Sequence, residues 1–396
     1  MEDFAVPAPS RWLRLAGYSL LAASTQLLWL TYAPVTTESA RVLHTSVANV
    51  GNLAVVFPLL YVILGIPAGR LLDLRFRRAL LLGAALTGAG ALVRVAAPFN
   101  FSVQLVGQTV IALGQPFVLN AITKMAELYF PPRERPTAIA IGSASLFIGI
   151  LAAMGLSGPL WQAGGLSFLL IVEAIPAVAG ALWVAAALAV PGDAGRQGKI
   201  TAVERFRPDR LVWQLSGLLF IGMGIFNALS TWLEPILNHF GEASASGNLL
   251  AEMALAGIIG AAVFPAQVAC ARRSRTFLSI VLLVTIATLS AIAAYHREAW
   301  LYVWMGIEGL GLLSALPVLL SWVERHVAAG QQASAVGLVM LAGNLGGVVL
   351  VLADETVIGN PYLALGVIAL AAAAGLGLAL TLKADPAPGG SANISL

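Results

Sequence analysis

Amides, hydroxyls and a carboxylate recur at helical spacing inside stretches that are otherwise apolar. Gln104, Gln108 and Gln115 are spaced so that one face of a helix is polar through much of its depth. Asn227, Ser230, Thr231 and Glu234 fall at i, i+3, i+4 and i+7, again a single face. Thr25, Gln26 and Trp29 form a third group, with Tyr32 one step beyond, and Glu308 stands among Gly306, Gly309 and Gly311. Polar groups in such stretches are costly unless they face a cavity or a partner helix, so they mark where a polar site can be built. Each amide has two uses: to hold a solute, or to bond a neighbouring helix for about 0.6–2 kcal/mol. Glu308 has no basic residue in its own stretch, which suits it to neutralise a cation or carry a proton. The face of Trp29 beside Gln26 is what a quaternary ammonium needs for cation–π contact, although a deep Trp also serves as core or lipid-facing packing. Trp29, Gln26, Gln108, Gln115, Asn227 and Glu308 are the candidate small-molecule contacts.

The elements that must position them are long apolar helices. The chain is 59% hydrophobic and 10% charged, with mean hydropathy +0.88, far from the roughly 25% charged residues of a soluble domain. A helix needs about 20 apolar residues to cross a bilayer core. Spans are expected near 12–36, 47–72, 79–97, 101–127, 136–160 and 165–190, then 208–238, 246–270, 275–294, 299–325, 333–354 and 359–382. Of the 22 Lys and Arg residues, 19 fall at one alternating set of boundaries, and only Arg41, Arg94 and Arg297 at the other. Short cytoplasmic loops retain Lys and Arg, so the chain reads as an all-α membrane protein of 12 transmembrane helices with both ends in the cytoplasm. Trp12, Trp161, Trp213, Trp232, Trp300 and Trp322 lie near expected helix ends, as an aromatic belt requires. Glu234 and Glu252 come near the outer surface, where solvent would reach them, and Glu173 sits in the sixth span, peripheral to the polar stripes.

Several functions are excluded or unsupported. The basic residues are scattered over inter-helix loops rather than gathered on one face, so the pI near 9.2 implies no nucleic-acid partner. With one cysteine, Cys270, no internal disulfide or Cys-based zinc site can form, and His44, His239, His296 and His326 lack metal-ligand spacing. There is no Gly-x4-Gly-Lys-Ser/Thr phosphate loop, and no triad, kinase or zincin signature. No enzyme chemistry, cofactor or metal is expected, and the polar, Pro-containing start is not a secretory signal.

The longest polar interruption, Pro191 to Arg210, splits the spans six and six. Residues 1–190 and 208–383 are the two expected six-helix halves, 191–207 a cytoplasmic linker, and 384–396 a disordered tail. Between the second and third spans the chain reads Gly69-Arg-Leu-Leu-Asp73-Leu-Arg75-Phe-Arg77-Arg78. This resembles the major facilitator signature of a glycine, an aspartate four residues on, and trailing basics, and the six-plus-six layout resembles that superfamily's fold of two repeated halves. The resemblance implies that spans one, four, seven and ten line a central cavity. It also implies that Gly69 lets a neighbouring helix approach closely, while Asp73 with Arg77 and Arg78 acts as a conformational gate, holding the cytoplasmic side closed when the outer side is open.

Further stretches resemble the feline leukaemia virus subgroup C receptor family of major facilitator transporters. They are Arg11-Trp12 with Trp29-Leu-Thr-Tyr32, Gly114-Gln115-Pro116-Phe117-Val118-Leu119-Asn120-Ala121 followed by Lys124 and Phe130-Pro131-Pro132, and Gly222–Leu233 with Gly224 and Ser230-Thr231. Members are associated with choline and ethanolamine transport, and historically with haem. The resemblance implies an aromatic cage on helices one and seven plus a helix-five glutamine. Trp29 matches the first, Asn227 stands at the helix-seven tyrosine with Phe226 adjacent, and Phe147 stands at the glutamine. The expectation is a monomeric transporter of a small organic solute in the lipid bilayer, a choline- or ethanolamine-like cation. The alternatives are a proton-coupled exporter of lipophilic or cationic compounds with Glu308 as carrier, and a non-transporting receptor. Very short loops point to a prokaryotic cytoplasmic membrane.

Overall fold

The computed structural model describes residues 8–189, 207–328 and 331–383. The linker and tail expected at 191–207 and 384–396 lie almost wholly outside them. The described chain is helical throughout: α1 Ala8–Trp29, α2 Thr36–Val42, α3 Val47–Ala96, α4 Phe101–Leu119, α5 Ala121–Tyr129, α6 Arg135–Ala189, α7 Arg210–His239, α8 Ser246–Ala271, α9 Ser274–Ala294, α10 Glu298–His326, α11 Gln332–Glu355 and α12 Pro361–Leu380. Among the described residues, nine helices are long and apolar enough to cross a membrane.

Two of the nine are double-length. α3 has 50 residues, about 75 Å at 1.5 Å per residue, against a hydrocarbon core of about 30 Å. Its helical geometry breaks at Arg75 (φ −144°, ψ 56°), inside the basic loop expected to join two spans. α6, with 55 residues, breaks at Gly164 and at Gly165, whose φ of 67° suits a residue without Cβ. α1 adds a further 22 apolar-rich residues. It stops at Trp29 rather than running to residue 36, because Pro34 cannot continue the helix and clashes with the carbonyl four residues back. The chain instead turns through Ala33–Val35 into the short α2.

Small residues let the helices meet at backbone distance, as in membrane bundles. Gly149 of α6 lies against the Ala23 carbonyl of α1, and Gly346 of α11 against the Phe220 carbonyl of α7. At the Arg-rich ends, Asp209 caps α7 by accepting from Val212 N at 2.9 Å, and its other oxygen meets His326 Nε2 at 2.5 Å.

The aromatic belt is only partly as expected. Trp213 and Trp300 are exposed, but Trp232 and Trp322 are buried. Trp232 donates to the Val351 carbonyl (3.0 Å) and its ring covers Gly51, so it is a packing element between α7, α11 and α3.

Candidate functional site

A cavity of about 520 Å³ opens among α1, α4, α7, α8, α9, α10, α11 and the first parts of α3 and α6. Five aromatic rings reach it: Trp29, Phe57, Tyr61, Phe147 and Phe226. Gln26, Gln115, Ser143 and Asn344 supply its polar groups, and among the described residues no charged side chain lines it. Aliphatic side chains of α7, α9 and α10 complete the wall.

Each ring is set by its element. Trp29 is the last residue of α1, its indole N–H donates to the Ala54 carbonyl at 3.0 Å, and its ring lies 6.3 Å from that of Phe57. Tyr61 donates from its hydroxyl to Asn120 Oδ1 (2.8 Å), and the Asn120 amide donates to the Gly65 carbonyl (3.2 Å). Those bonds hold the turn where α4 gives way to α5, a break inside the stretch expected to be one span. Gln115 is buried yet makes no hydrogen bond among the described residues, so its amide is free to meet a solute. Gln26 reaches only the neighbouring Thr25 hydroxyl, at 3.4 Å.

Three of the six candidate contacts therefore meet at the cavity: Gln26, Trp29 and Gln115. The other three do not line it. Asn227 is turned onto Gly347 of α11 with its amide unpartnered, while Phe226, one residue away and about 100° round the helix, faces the cavity. Gln108 accepts from Arg94 Nη1 (3.0 Å) and donates to the Leu28 carbonyl (3.3 Å). Glu308 is buried between α9 and α10, accepting from Thr285 Oγ1 at 2.8 Å with its second oxygen unpartnered. It sits one turn from the cavity wall formed by Leu312 and Leu313 of its own helix.

Arg94 is not a loop residue either. It is 1% exposed, inside α3, with Glu173 of α6 at 3.8 Å and the Tyr32 ring 5.2 Å from its guanidinium carbon. Glu173 also accepts from Thr31 Oγ1 (2.5 Å) and Ser157 Oγ (3.2 Å). Tyr32 donates to Gln104, whose amide donates to the Arg94 and Ala97 carbonyls. A buried ion pair with a hydroxyl and amide shell thus stands where the sequence suggested a peripheral acid and a loop base. The polar stripe on α4 is split: Gln104 and Gln108 serve this network, and Gln115 serves the cavity.

The contacts joining the helices before residue 190 to those after 206 gather at the Arg-poor face. Glu234 Oε2 accepts from Thr37 N and Thr37 Oγ1, both at 2.9 Å, so Glu234 is buried and not solvated. Trp232 covers Gly51, and Gly247 lies against Met154 and Pro34. At the Arg-rich face, Asp73, Arg77 and Arg78 are exposed, no ion pair joins them among the described residues, and Gly69 faces open space rather than a close neighbour.

The model of the Major Facilitator Superfamily matches residues 15–351. Over 307 residues the chain is 30% identical to solute carrier family 49 member A3 of Danio rerio, spanning 72% of this chain and 65% of that protein. The Xenopus tropicalis protein of the same name is matched over 57% of its length, so the chain spans less than two thirds of either relative. It is 25% identical over 405 residues to the Homo sapiens choline/ethanolamine transporter FLVCR2, spanning 91% of this chain and 74% of that one. The fold is similar to the crystal structure of a bacterial homologue of the human lysosomal transporter Spinster in an inward-facing, unoccupied conformation, with TM-score 0.70, 17% identity and 95% of each chain covered.

Proposed function

Because the chain belongs to the Major Facilitator Superfamily, we propose that it moves a small organic cation of the choline type across a membrane by alternating access. The observation that carries this reading is the cavity itself: five aromatic rings and four uncharged polar groups, with no charged side chain among the described residues. A quaternary ammonium cannot donate a hydrogen bond, so ring faces suit it better than a carboxylate whose own desolvation would be costly. Gln26, Gln115 and Asn344 are then left to bind a hydroxyl. A primary ammonium, with three protons to place, is served less well by the same wall.

The test is a comparison of choline with 3,3-dimethylbutan-1-ol, its uncharged isostere, by calorimetry on the purified protein. A desolvated cation–π contact contributes about 2 kcal/mol, so choline should bind about 30-fold more tightly. Equal affinity would discard the cation reading and leave an apolar solute.

The double-length α3 and α6, with α1, raise the nine candidate helices to the twelve expected spans. With the Arg-rich face in the cytoplasm, both termini are cytoplasmic, and the halves are 1–190 and 208–383. The cavity lies towards that face, so this is an inward-facing state whose outer side is sealed by Glu234, Trp232 and Gly247. The exposed, unpaired Asp73, Arg77 and Arg78 are a gate disengaged in this state. Short inter-helix connections support a prokaryotic cytoplasmic membrane and a monomer suffices, since the cavity lies within one chain.

The Glu234 latch has a measurable consequence. Hydrogen bonds to a charged group contribute about 1.5–3 kcal/mol, so Glu234→Ala should shift the equilibrium towards the outward-open state about 10- to 150-fold. A membrane-impermeant thiol reagent added outside should then label a Ser230→Cys reporter faster, with Cys270→Ser in the background. An unchanged labelling rate would remove Glu234 from the seal.

Glu308 favours a second reading, coupling to protons, because its second oxygen is unpartnered among the described residues and it stands one turn from the cavity. In proteoliposomes, Glu308→Gln should abolish uptake driven by a pH gradient and spare exchange at equal pH. Retained gradient-driven uptake would end that reading.

A further inference from the structure

The last turn of α1 presents a physical problem that neighbouring helices solve. A helix leaves its final four carbonyls without intrahelical donors, and inside a bilayer no water replaces them. In α1 these are the carbonyls of Gln26, Leu27, Leu28 and Trp29. The Gln26 carbonyl takes the Leu30 N–H at 3.3 Å. The Thr31 hydroxyl has one proton for three acceptors, the Leu27 carbonyl at 3.4 Å, the Leu28 carbonyl at 3.1 Å and Glu173 at 2.5 Å, and the carboxylate is the strongest of them. The Leu28 carbonyl therefore depends on donors from elsewhere, and it has two: Arg94 Nη1 and Gln108 Nε2, each at 3.3 Å. Arg94 is the better suited of the two, since a cation at a helix C-terminus also meets the negative end of the helix dipole.

The residue joined to that carbonyl is Trp29. Its indole N–H is tethered on the other side, to the Ala54 carbonyl of α3 at 3.0 Å. The ring is thus held at two points, by its own N–H and by the backbone that Arg94 and Gln108 pin. Neither Arg94 nor Gln108 lines the cavity. The guanidinium is held in turn by Glu173 at 3.8 Å, by Gln108 Oε1 at 3.0 Å and over the Tyr32 ring.

We propose that Arg94 and Gln108 are positioning residues that cap the end of α1 from α3 and α4 and so set the plane of the Trp29 ring, tuning preference for a cation without touching the solute. This rests on Trp29 being the ring that meets the solute, and the experiment separates the two ideas. Gln108→Leu removes the amide, donor and acceptor together, at similar size, and Arg94→Lys keeps the charge beside Glu173 while losing the second nitrogen that lets Nη1 serve Gln108 and Leu28 as Nη2 faces Glu173. Protein labelled with 5-fluorotryptophan gives a fluorine resonance for Trp29, assigned by its loss in Trp29→Phe.

Without any solute, that resonance should move by more than its linewidth in both variants. The choline preference over 3,3-dimethylbutan-1-ol should fall several-fold towards unity in both. A purely structural role would lower the melting temperature and leave the resonance and the preference as in the unaltered protein, which would overturn the proposal. If the unaltered protein shows no preference, the cation reading fails on its own, and the fluorine resonance in the apo protein still decides whether Arg94 and Gln108 set the ring.

Discussion

Trp29→Ala weakens choline binding about 30-fold or more, the largest effect expected of any single cavity substitution. Of the five rings, Trp29 has the strongest face potential for a cation, because the indole quadrupole exceeds that of Phe or Tyr. It is also held in place: it ends α1, donates to the Ala54 carbonyl and abuts Phe57. A ring already held in place loses little entropy when a solute arrives, so most of its interaction appears as affinity. Removing it forfeits about 2 kcal/mol of cation–π energy, which is the 30-fold, and admits water to a wall that was apolar. Trp29→Phe keeps a ring but not the N–H tether, and should fall between the two. Calorimetry with choline on all three proteins checks the order. An alanine variant that binds choline as the unaltered protein does would move the site away from α1 altogether.

How far the site was legible in the sequence follows from which physical signals survive without contacts. Alternating basic clusters mark membrane faces because the rule acts on loops, and the breaks at Arg75 and Gly164–Gly165 fall where that alternation requires them. Polar stripes point to Gln26 and Gln115, which line the cavity, since a buried amide needs a cavity or a partner. The same logic cannot say which of those two it has. Gln108 has a partner, and that partner, Arg94, was hidden because a basic residue one turn from a span's end looks like a loop residue until its burial is seen. Glu173 lies in a distant helix, so their pairing is a fact of packing rather than of spacing.

The cavity wall was harder to read still. Along α7 it is Leu218, Leu219, Gly222, Met223 and Phe226, an apolar stripe that hydropathy cannot tell from a lipid-facing one. The amide on that helix, Asn227, packs on Gly347 instead. In a membrane protein the interior offers no hydrophobic contrast with its surroundings, so a largely apolar binding site leaves little trace in composition. The aromatic residues at 57, 61, 147 and 226 were visible as types, and only the fold gathers them.

Arg94→Met should lower the stability of the protein by about 3–5 kcal/mol, the usual cost of leaving one member of a buried ion pair uncompensated. Both side chains are 1% exposed, so no water can replace the lost charge, and Glu173 would keep only the Thr31 and Ser157 hydroxyls. The Leu28 carbonyl and Gln108 Oε1 would each lose a donor as well. A fall of this size is a large share of the stability of most domains, so the melting temperature in detergent should drop steeply and the yield of folded protein with it. The double variant Arg94→Met with Glu173→Met separates charge from packing. With both charges gone, apolar side chains of similar volume can fill the space, and most of the lost stability should return. If the double variant is as unstable as Arg94→Met alone, the cost lies in the hydrogen bonds to α1 rather than in the orphaned carboxylate. Recovery of stability without recovery of the choline preference is the expected combination, because the ion pair can be dispensed with while the donor that fixes the end of α1 cannot.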